Sequence, residues 1–483
     1  MGKEIISLQP TCVWEKFYEI TQIPHPSAHE AMILDYVESF AQRLGLQIVR
    51  GANHYIIVRK PASAGCEQRQ SVALQAHIDM VPQKLPEKNH DFLTDPIQTI
   101  IDNGWVRADG TTLGSDDGIG VAAALALLES KTIKHGPIEV LFTTEEETLM
   151  AGANALEPNI LRSKILFNLD YEQEGDICIG GAGGLDLKAR FNFTKIETAD
   201  DDIAFRISVG GLNGGHSGLD INLGRANAVK LLVRFLKFAA ANYESMLSSI
   251  DGGSLHNAIP REANAVITID AEDKADFIEA VEEFEDTLRD EYSRTEPNLY
   301  FTATLVDTPK KVIDEMTTDD IINAIQGCPN GVIRMNSMVD GVVDSSTNIS
   351  TIVSTDNYVD VTLLVRSIYD SEKEDIASSV ESVFRLAGAE MEFGASYPSW
   401  NQSNEFPLLL NAKEVYRKLF DTEANTVVMH AGLECGIFAD SYPEMSIISF
   451  GPTLKYPHSP SEKVNIESVG RFWQFLTELI ESV

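Results

Sequence analysis

The sequence predicts an α/β protein in which a discontinuous first domain is interrupted by a second, α+β domain. Short β-rich runs alternate with helical segments over residues 1–190, which predicts a sheet covered on both faces. The order of strand-like and helical segments is different over residues 191–393, and the earlier alternation returns over residues 394–483. We therefore expect the C-terminal segment to complete the first domain.

Each element of the first domain is predicted from a local pattern. The segment SAHEAMILDYVESFAQRLGL has apolar residues on one helical face, with Ser27 and Glu30 as a capping box and Gly45 as the stop. Apolar, β-rich runs predict strands at residues 55–58, 72–76, 138–142 and 165–169. A helix is predicted at residues 118–129, between the second and third of these strands.

A glycine-dense segment, IGGAGGLD at residues 179–186, marks the predicted domain boundary. Its acidic surroundings would repel phosphate, so we do not interpret it as a phosphate-binding loop. The second domain is predicted to contain strands at residues 203–209, 263–270 and 300–306, and helices at residues 225–241 and 274–290. After the predicted return of the chain to the first domain, helices are predicted at residues 412–420 and 466–480, and strands at residues 426–429 and 446–450.

Charge and cysteine content exclude several classes of function. The chain of 483 residues has 73 acidic and 38 basic residues and a net charge of −35, which disfavours binding to nucleic acid or to anionic membranes. Five cysteines without a CxxC pair indicate a reducing compartment. The N-terminus lacks the apolar segment of a secretory signal, and the longest apolar stretch, near residues 121–128, is too short to span a bilayer. We therefore expect a cytoplasmic protein.

Clusters of metal-compatible side chains follow the predicted strands. They are HID at residues 77–79, SDD at 115–117, EEE at 145–147, NLD at 168–170, and His458. Strand alternation puts His77 and Asp79 on the same side, where the carboxylate could accept the imidazole N–H. Each cluster alone has a structural explanation, such as helix capping at 115–117. Together they suit a pair of Zn²⁺-like ions that share a carboxylate and activate a water for a nearby glutamate.

Longer motifs make a resemblance specific over nearly the whole chain. They include LQAHIDMV, LGSDDGIGVAAALALLE, LFTTEEETLMAGA, GGLNGGHSGLDINLGRANA, HNAIPRE, HAGLECGIF and GPTLKYPHSPSEKV. These segments resemble the M20 metallopeptidases, and within them the aminoacyl-histidine dipeptidase branch. The resemblance implies a di-zinc aminopeptidase-like catalytic domain with an inserted lid domain. It also implies hydrolysis of unblocked dipeptides, Xaa-His among them.

The resemblance further implies two divalent ions, Zn²⁺ above all, with Mn²⁺ or Co²⁺ as alternatives. The implied ligands are His77, Asp116, Asp170, Glu147 and His458. Asp116 would bridge the ions, His77 and Asp170 would complete one shell, and the other two ligands would complete the second. A cis peptide is expected after Asp116.

The remaining implied residues act on the water or the substrate. Glu146 would be the general base, and Asp79 would orient His77. His216 would donate to the substrate carbonyl after lid closure. Asn257 and Arg366 would bind the substrate backbone and terminal carboxylate, and Glu434 would bind the free α-amino group. Arg366 could equally be a salt-bridge partner.

The chain departs from the family pattern at two positions. Asp117 stands where relatives have Asn, which adds negative charge beside the ions. Leu149 stands where relatives have Gly, which raises a question about the local loop geometry.

Alternative functions stay open at this stage. One is an M20-type aminoacylase or carboxypeptidase acting on N-acylated amino acids or short peptides. Another is an acidic, metal-buffering protein with a decayed site, although no ligand is missing. A paired-carboxylate glycosidase would leave the histidines without a role. The sequence also leaves open whether the protein is a monomer or a homodimer.

Overall fold

The computed structural model describes residues 2–337, 341–402 and 405–483. The chain divides into two compact units. Unit 1 comprises Met1–Gly180, Trp400–Val428 and Leu433–Val483, and unit 2 comprises Gly181–Ser399 and Met429–Gly432. The domain limits drawn from the sequence, after residues 190 and 393, stay a prediction beside these bounds. The short return of residues 429–432 to unit 2 has no counterpart in the sequence analysis.

The helices lie mostly where apolar residues recur with helical spacing. In chain order they are α1 (Thr11–Thr21), α2 (Ala31–Arg43), α3 (Ser115–Glu129), α4 (Glu146–Leu149), α5 (Ala151–Asn154), α6 (Ala228–Tyr243), α7 (Lys274–Glu291), α8 (Glu315–Gly327), α9 (Asp370–Leu386), α10 (Pro407–Phe420), α11 (Cys435–Ser441) and α12 (Ile466–Ser482). Short 3₁₀ helices cover Lys3–Ser7 and Ala271–Asp273.

The strands are numbered in the same way. Up to the first unit boundary they are β1 (Gln47–Gly51), β2 (Tyr55–Lys60), β3 (Val72–His77), β4 (Thr99–Asp102), β5 (Trp105–Ala108), β6 (Ile138–Thr143), β7 (Ile165–Asn168) and β8 (Asp176–Gly181). The next are β9 (Gly183–Asn192), β10 (Lys195–Glu197), β11 (Asp202–Gly210), β12 (Gly215–His216), β13 (Met246–Gly252), β14 (Ala258–Ile259), β15 (Ala263–Asp270), β16 (Tyr300–Val306), β17 (Lys311–Ile313), β18 (Gly331–Met335), β19 (Val343–Ser354), β20 (Tyr358–Ser367) and β21 (Glu390–Tyr397). The last are β22 (Trp400–Asn401), β23 (Asn425–Met429), β24 (Ser446–Ser449), β25 (Leu454–Lys455) and β26 (Lys463–Asn465).

The main sheet of unit 1 has the strand order β1-β2-β6-β3-β7-β24-β8-β22, and β23 also pairs with β8. Strands β6, β3, β7 and β24 are mutually parallel neighbours. Every residue of β3, β6 and β7 is buried, as expected for parallel strands covered on both faces. The parallel arrangement brings the carboxyl ends of β6, β3, β7 and β24 to one edge of the sheet.

Helix α3 forms the centre of the unit 1 core. It is buried from Ser115 to Leu128 and contacts α1 and β3. A smaller sheet of order β25-β26-β5-β4 also belongs to unit 1. The sequence analysis did not predict this sheet, because strands of two to four residues are too short to show a periodicity.

The predicted capping box at the start of α2 is wrong. The helix begins at Ala31, and its N-cap residue Glu30 makes no side-chain capping bond. The Ser27 hydroxyl instead donates to Asp79 Oδ2 at 2.8 Å. Glu30 Oε1 accepts the backbone N–H groups of Ala28 and Glu145 at 2.8 and 3.2 Å. Each of the two side chains that local sequence assigns to the helix end therefore has a tertiary partner, and neither caps the helix.

Unit 2 contains an antiparallel sheet of order β16-β11-β15-β13-β19-β20-β9-β21, with β18 paired to β19. Strands β15 and β16 have the bounds that the sequence predicts. Helices α6, α7, α8 and α9 contribute to its core, which contains the fully buried Phe235. The ring of Phe235 lies 5.2 Å from the rings of both Phe284 and Phe301, measured between centroids.

Two further observations concern the whole described chain. The five cysteines, all within the described residues, are free thiols. Within those same residues, we find no helix with both the length and the apolar character needed to cross a membrane.

Candidate metal centre

The metal-compatible side chains of unit 1 follow the ends of the parallel strands. His77 is the last residue of β3, and Asp170 comes two residues after β7. Asp116 lies in the first turn of α3, where its backbone is not helical (φ −87°, ψ 109°), and its peptide bond to Asp117 is cis. The non-helical backbone explains why a residue within a helix segment can present its carboxylate to the strand ends.

The other side chains come from the segment after β6 and from the loop between β25 and β26. Glu146 and Glu147 form the first turn of α4, immediately after Glu145, which has a left-handed backbone (φ 54°). His458 lies between β25 and β26 and also has a left-handed backbone (φ 57°). These turns place residues that are far apart in sequence at one edge of the sheet.

Asp116 lies between the two histidines. Its Oδ1 atom is 3.1 Å from His77 Nε2, and its Oδ2 atom is 3.0 Å from His458 Nε2. Each carboxylate oxygen thus faces a different imidazole. This is the arrangement expected of a carboxylate that bridges two ions.

Two ligand groups share Asp116. In the first, His77 Nε2 lies 3.3 Å from Asp170 Oδ1, and in the second, His458 Nε2 lies 2.9 Å from Glu147 Oε2. Within each group the candidate ligand atoms lie within 4.8 Å of one another. Glu147 Oε1 is buried and has no hydrogen-bond partner among the described residues. Imidazole and carboxylate donors in this arrangement, one carboxylate oxygen being buried and unsatisfied, fit divalent cations such as Zn²⁺.

Asp79 connects His77 to the first turn of α4. Its carboxylate oxygens accept the N–H groups of Glu146 and Glu147 at 3.0 and 3.3 Å. His77 Nδ1 lies 3.1 Å from the Asp79 backbone oxygen and 3.5 Å from its Oδ1 atom. The predicted approach of Asp79 to His77 is therefore present, with the backbone oxygen as the nearer partner.

Negative charge is concentrated in this centre. Burial raises the pKa of Glu147 to about 7, and the Asp116 carboxylate adds to the shift. Burial likewise raises the pKa of Asp170 to about 6. It raises the pKa of Glu146 well above the usual range, and Asp170 and Glu147 raise it further while His77 opposes them. A divalent cation offsets this kind of repulsion between carboxylates.

Glu434 is a buried carboxyl beside the strands that carry these ligands. Its Oε2 atom accepts hydrogen bonds from Gln75 Nε2 at 2.5 Å and Thr143 Oγ1 at 2.7 Å. Its Oε1 atom has no hydrogen-bond partner within the described part of the chain. Burial raises the pKa of Glu434 to about 8. The adjacent Cys435 is fully buried.

Unit 2 brings His216 and Arg366 together. His216 Nδ1 accepts the N–H groups of Gly218 and Leu219, at 3.2 and 3.0 Å, so a proton on the neutral ring is on Nε2. His216 Nε2 lies 3.5 Å from Arg366 Nη2. The Arg366 side chain is buried and donates from Nη1 to the Tyr397 hydroxyl at 2.7 Å. Over residues 2–337, 341–402 and 405–483, we find no carboxylate within salt-bridge distance of this guanidinium, and its role stays a prediction.

Asn257 lies in the loop that supports His216. Its backbone oxygen accepts the Ser217 N–H at 2.8 Å, and the residue is partly buried. The two motifs GGHSG and HNAIPRE are therefore adjacent in unit 2. Residues 215–216 and 258–259 also pair as strands β12 and β14.

The two departures from the family pattern have different surroundings. Asp117 is buried, its Oδ1 atom accepts the Gly120 N–H at 3.1 Å, and burial raises its pKa well above the usual range. Leu149 is the last residue of α4, and 66% of its surface is exposed. Its own backbone is not left-handed. The left-handed positions are Glu145 and Met150. A glycine at 149 is therefore not required for this loop.

Two residues that the sequence analysis did not single out have structural connections to these sites. His430 is buried in unit 2, with Nε2 2.7 Å from Ser346 Oγ. Glu462 is buried in unit 1, and its carboxylate accepts hydrogen bonds from the segment that precedes Asp116. Both lie in motifs that carried the resemblance, but neither has a local pattern that marks its partner.

Comparison with known proteins identifies the family. A family model described as peptidase family M20/M25/M40 matches residues 73–482, and the chain belongs to this family. It is 43% identical over 481 residues to the cytosol non-specific dipeptidase of Escherichia coli (strain K12), covering 99% of both chains. The sequence-based identification of the family is thereby confirmed.

Solved structures agree with this assignment. The crystal structure of aminoacylhistidine dipeptidase from Vibrio alginolyticus is similar with a TM-score of 0.86 and 42% identity, over 100% of this chain and 98% of that one. An aminopeptidase PepT from Bacillus cereus ATCC 10987 has a TM-score of 0.57 at 14% identity, over 98% and 99% of the two chains. The second likeness concerns the fold alone. The predicted α/β fold class is confirmed.

Proposed function

We propose that the protein is a dipeptidase that uses two divalent metal ions, most simply Zn²⁺, to hydrolyse unblocked dipeptides. The observation that carries the proposal is the position of Asp116, with one oxygen facing each histidine. His77 and Asp170 would hold one ion with Asp116, and Glu147 and His458 would hold the other. When bound, the ion pair would lower the pKa of a water and polarise the substrate carbonyl.

Glu146 is the proposed general base. Its backbone N–H donates to Asp79 Oδ1 at 3.0 Å, and its carboxylate belongs with His77 and Glu147 to a third compact group. Its raised pKa suits a group that takes a proton from water and then passes it to the leaving amine. Asp79 would hold both the imidazole of His77 and the turn that carries this base.

The proposed substrate is a dipeptide with a free amino end. Glu434 supports this choice, because a buried carboxyl with an unsatisfied oxygen can accept an ammonium group. The names of the Escherichia coli and Vibrio alginolyticus relatives support dipeptides, and the second supports Xaa-His substrates in particular. In unit 2, the buried guanidinium of Arg366 suits a carboxylate, and His216 Nε2–H suits a carbonyl oxygen. The role of Asn257 in holding the substrate backbone is proposed on the resemblance alone.

The base is tested by Glu146→Gln. We expect kcat to fall by about 10² to 10⁴-fold, the usual contribution of a general base, while the variant still binds two Zn²⁺ per chain. Glu145→Gln is the matched control, since it removes the neighbouring carboxylate and should keep kcat within a few-fold. Metal content by elemental analysis and kcat by a dipeptide assay are measured on the same samples. Near-normal turnover by Glu146→Gln with both ions bound would exclude it as the base.

The substrate class is tested by comparing a free dipeptide with its N-acetylated form. A dipeptidase should hydrolyse only the free form, whereas an aminoacylase or carboxypeptidase should prefer the blocked one. Glu434→Gln should raise KM for the free form because the ammonium group loses a charged partner. Chelator treatment should abolish activity and added Zn²⁺ should restore it; activity that persists without metal would contradict the proposal.

Two coarser proposals accompany this function. The name of the Escherichia coli relative supports a cytosolic location. A homodimer stays a prediction, which sedimentation analysis of the purified protein would test.

A further inference from the structure

We propose that Glu462 is a positioning residue that fixes Asp116 relative to His458, and so sets the spacing of the two metal sites. The inference rests on the proposed metal centre and adds a residue that the ligand set does not include. Glu462 is 2% exposed and comes four residues after His458. Its partners lie 347 to 349 residues away in the chain.

The Glu462 carboxylate accepts four hydrogen bonds from the segment that precedes Asp116. Its Oε2 atom accepts the N–H groups of Leu113 and Gly114 at 2.7 and 3.1 Å. Its Oε1 atom accepts both the N–H and the hydroxyl of Ser115, each at 2.7 Å. These donors occupy the three positions immediately before Asp116. A carboxylate with both oxygens engaged fixes position and orientation more tightly than a single bond does.

The segment that carries His458 is also held by hydrogen bonds. Glu462 N–H donates to the Ser459 backbone oxygen at 3.0 Å, and Ser459 Oγ donates to the Tyr456 oxygen at 2.8 Å. These bonds close a tight turn around His458. Strand β26 begins directly after Glu462, and its Val464 pairs with Val106 of β5. The segments that carry Asp116 and His458 are thus joined twice, by a strand pair and by the buried carboxylate.

This arrangement has a direct consequence for metal affinity. Asp116 must present one oxygen to each ion, so a shift of its backbone disturbs both sites at once. Loss of hydrogen bonds that orient ligands typically weakens metal binding by about 10 to 100-fold. In Glu462→Gln, one amide nitrogen would face backbone N–H donors whichever way the amide is turned. We therefore expect a loss of this size for Zn²⁺.

Unit 1 offers a closely matched control. Glu139 is 3% exposed, and its Oε2 atom accepts the N–H groups of Arg162 and Ser163 and the Ser163 hydroxyl, at 2.8 to 2.9 Å. It lies near the start of β6, at the end opposite to Glu146. Glu139→Gln therefore removes a similar buried acceptor, which also pairs with Arg59 at 2.9 Å, at the end of β6 away from the ligands.

The experiment measures Zn²⁺ affinity by competition with a chromophoric chelator, together with thermal stability, for the full-length protein and both variants. We expect Glu462→Gln to bind Zn²⁺ about 10 to 100-fold more weakly, and Glu139→Gln to bind within a few-fold of the unmodified protein. Equal affinity in all three proteins, or equal losses in both variants, would overturn the inference. An unmodified protein that binds no pair of ions would instead overturn the proposed function, so the two failures are distinguishable.

A second pair of variants covers the case in which Glu462→Gln does not fold. Ser115→Ala removes one of the four bonds to Glu462, and Ser163→Ala removes the equivalent bond to Glu139. We expect a several-fold loss of Zn²⁺ affinity in the first variant and none in the second. The same affinity in both variants would show that Glu462 has only a structural role.

Discussion

Replacement of His430 by glutamine tests the electrostatics of unit 2 quantitatively. Burial lowers the pKa of His430 from 6.5 to about 3, and the positive charge of Arg366 contributes to the shift. The side chain is 6% exposed, and its Nδ1 atom has no hydrogen-bond partner in the part of the chain that the structure describes. Gln keeps a group that can bond to Ser346 but does not titrate.

The sign follows from the two pKa values. Between pH 6.5 and pH 3 the unfolded chain protonates His430 while the folded chain does not, so stability is lost as the pH falls through this interval. One pKa unit corresponds to about 1.4 kcal/mol. At pH 4, which is about 2.5 pH units below the pKa of the unfolded chain, protonation at this site stabilises the unfolded state by roughly 3 kcal/mol. The free energy of unfolding should therefore fall by about 3 kcal/mol more in the unmodified protein than in His430→Gln between pH 7 and pH 4.

Urea unfolding followed by circular dichroism at pH 7 and pH 4 measures this difference. Tryptophan fluorescence provides an internal comparison, because all four tryptophans lie in unit 1. His29→Gln, which replaces an exposed histidine of unit 1, is the matched control. Carbon-13 labelling of the histidine rings gives the pKa of His430 directly. A titration near pH 6.5, or a variant that loses the same stability as the unmodified protein, would refute the reasoning.

The remaining predictions concern the core of unit 2 and the support of His77. Phe235→Ala should lower the free energy of unfolding by about 3 to 5 kcal/mol, because it leaves a cavity where a fully buried ring was. Phe238→Ala should cost less, because Phe238 is 43% exposed. Urea titration compares the two variants, and equal losses would contradict the packing argument. Asp79→Asn should weaken Zn²⁺ binding by about 10 to 100-fold, because the amide nitrogen cannot accept a hydrogen bond and one of the bonds from the Glu146 and Glu147 N–H groups is lost. Chelator competition measures this, and unchanged affinity would show that Asp79 does not support the centre.

The sequence predicts the positions of the candidate ligands well. His77, Glu147 and Asp170 follow apolar runs, and parallel strands bring the ends of such runs to one edge. His77 and Asp170 illustrate this, because the residue types and their place after β3 and β7 are both visible in the sequence. The kink at Asp116, by contrast, could be expected only from the resemblance, since SDD before an apolar helix is also a normal helix start.

What the sequence does not predict depends on distant partners. Ser27 and Glu30 match a capping box, yet Ser27 donates to Asp79, and Glu30 accepts the N–H groups of Ala28 and Glu145. Glu462 has no local feature that distinguishes it from the many surface glutamates, because its hydrogen bonds reach across the chain to Ser115. Side chains of this kind become recognisable only when the segments that they join have been placed in space.

The position of β24 also bears on how unit 1 folds during synthesis. This strand comes from residues 446–449 but lies between β7 and β8, both of which are made before residue 182. Until the ribosome has released that late segment, the free side of β7 exposes unpaired N–H and C=O groups. Such an open edge can pair with strands of other chains and lead to aggregation. Nascent chains that stop before residue 446 would thus keep an unpaired edge on β7. Chaperones that shield this edge would have to stay bound until β24 has been made.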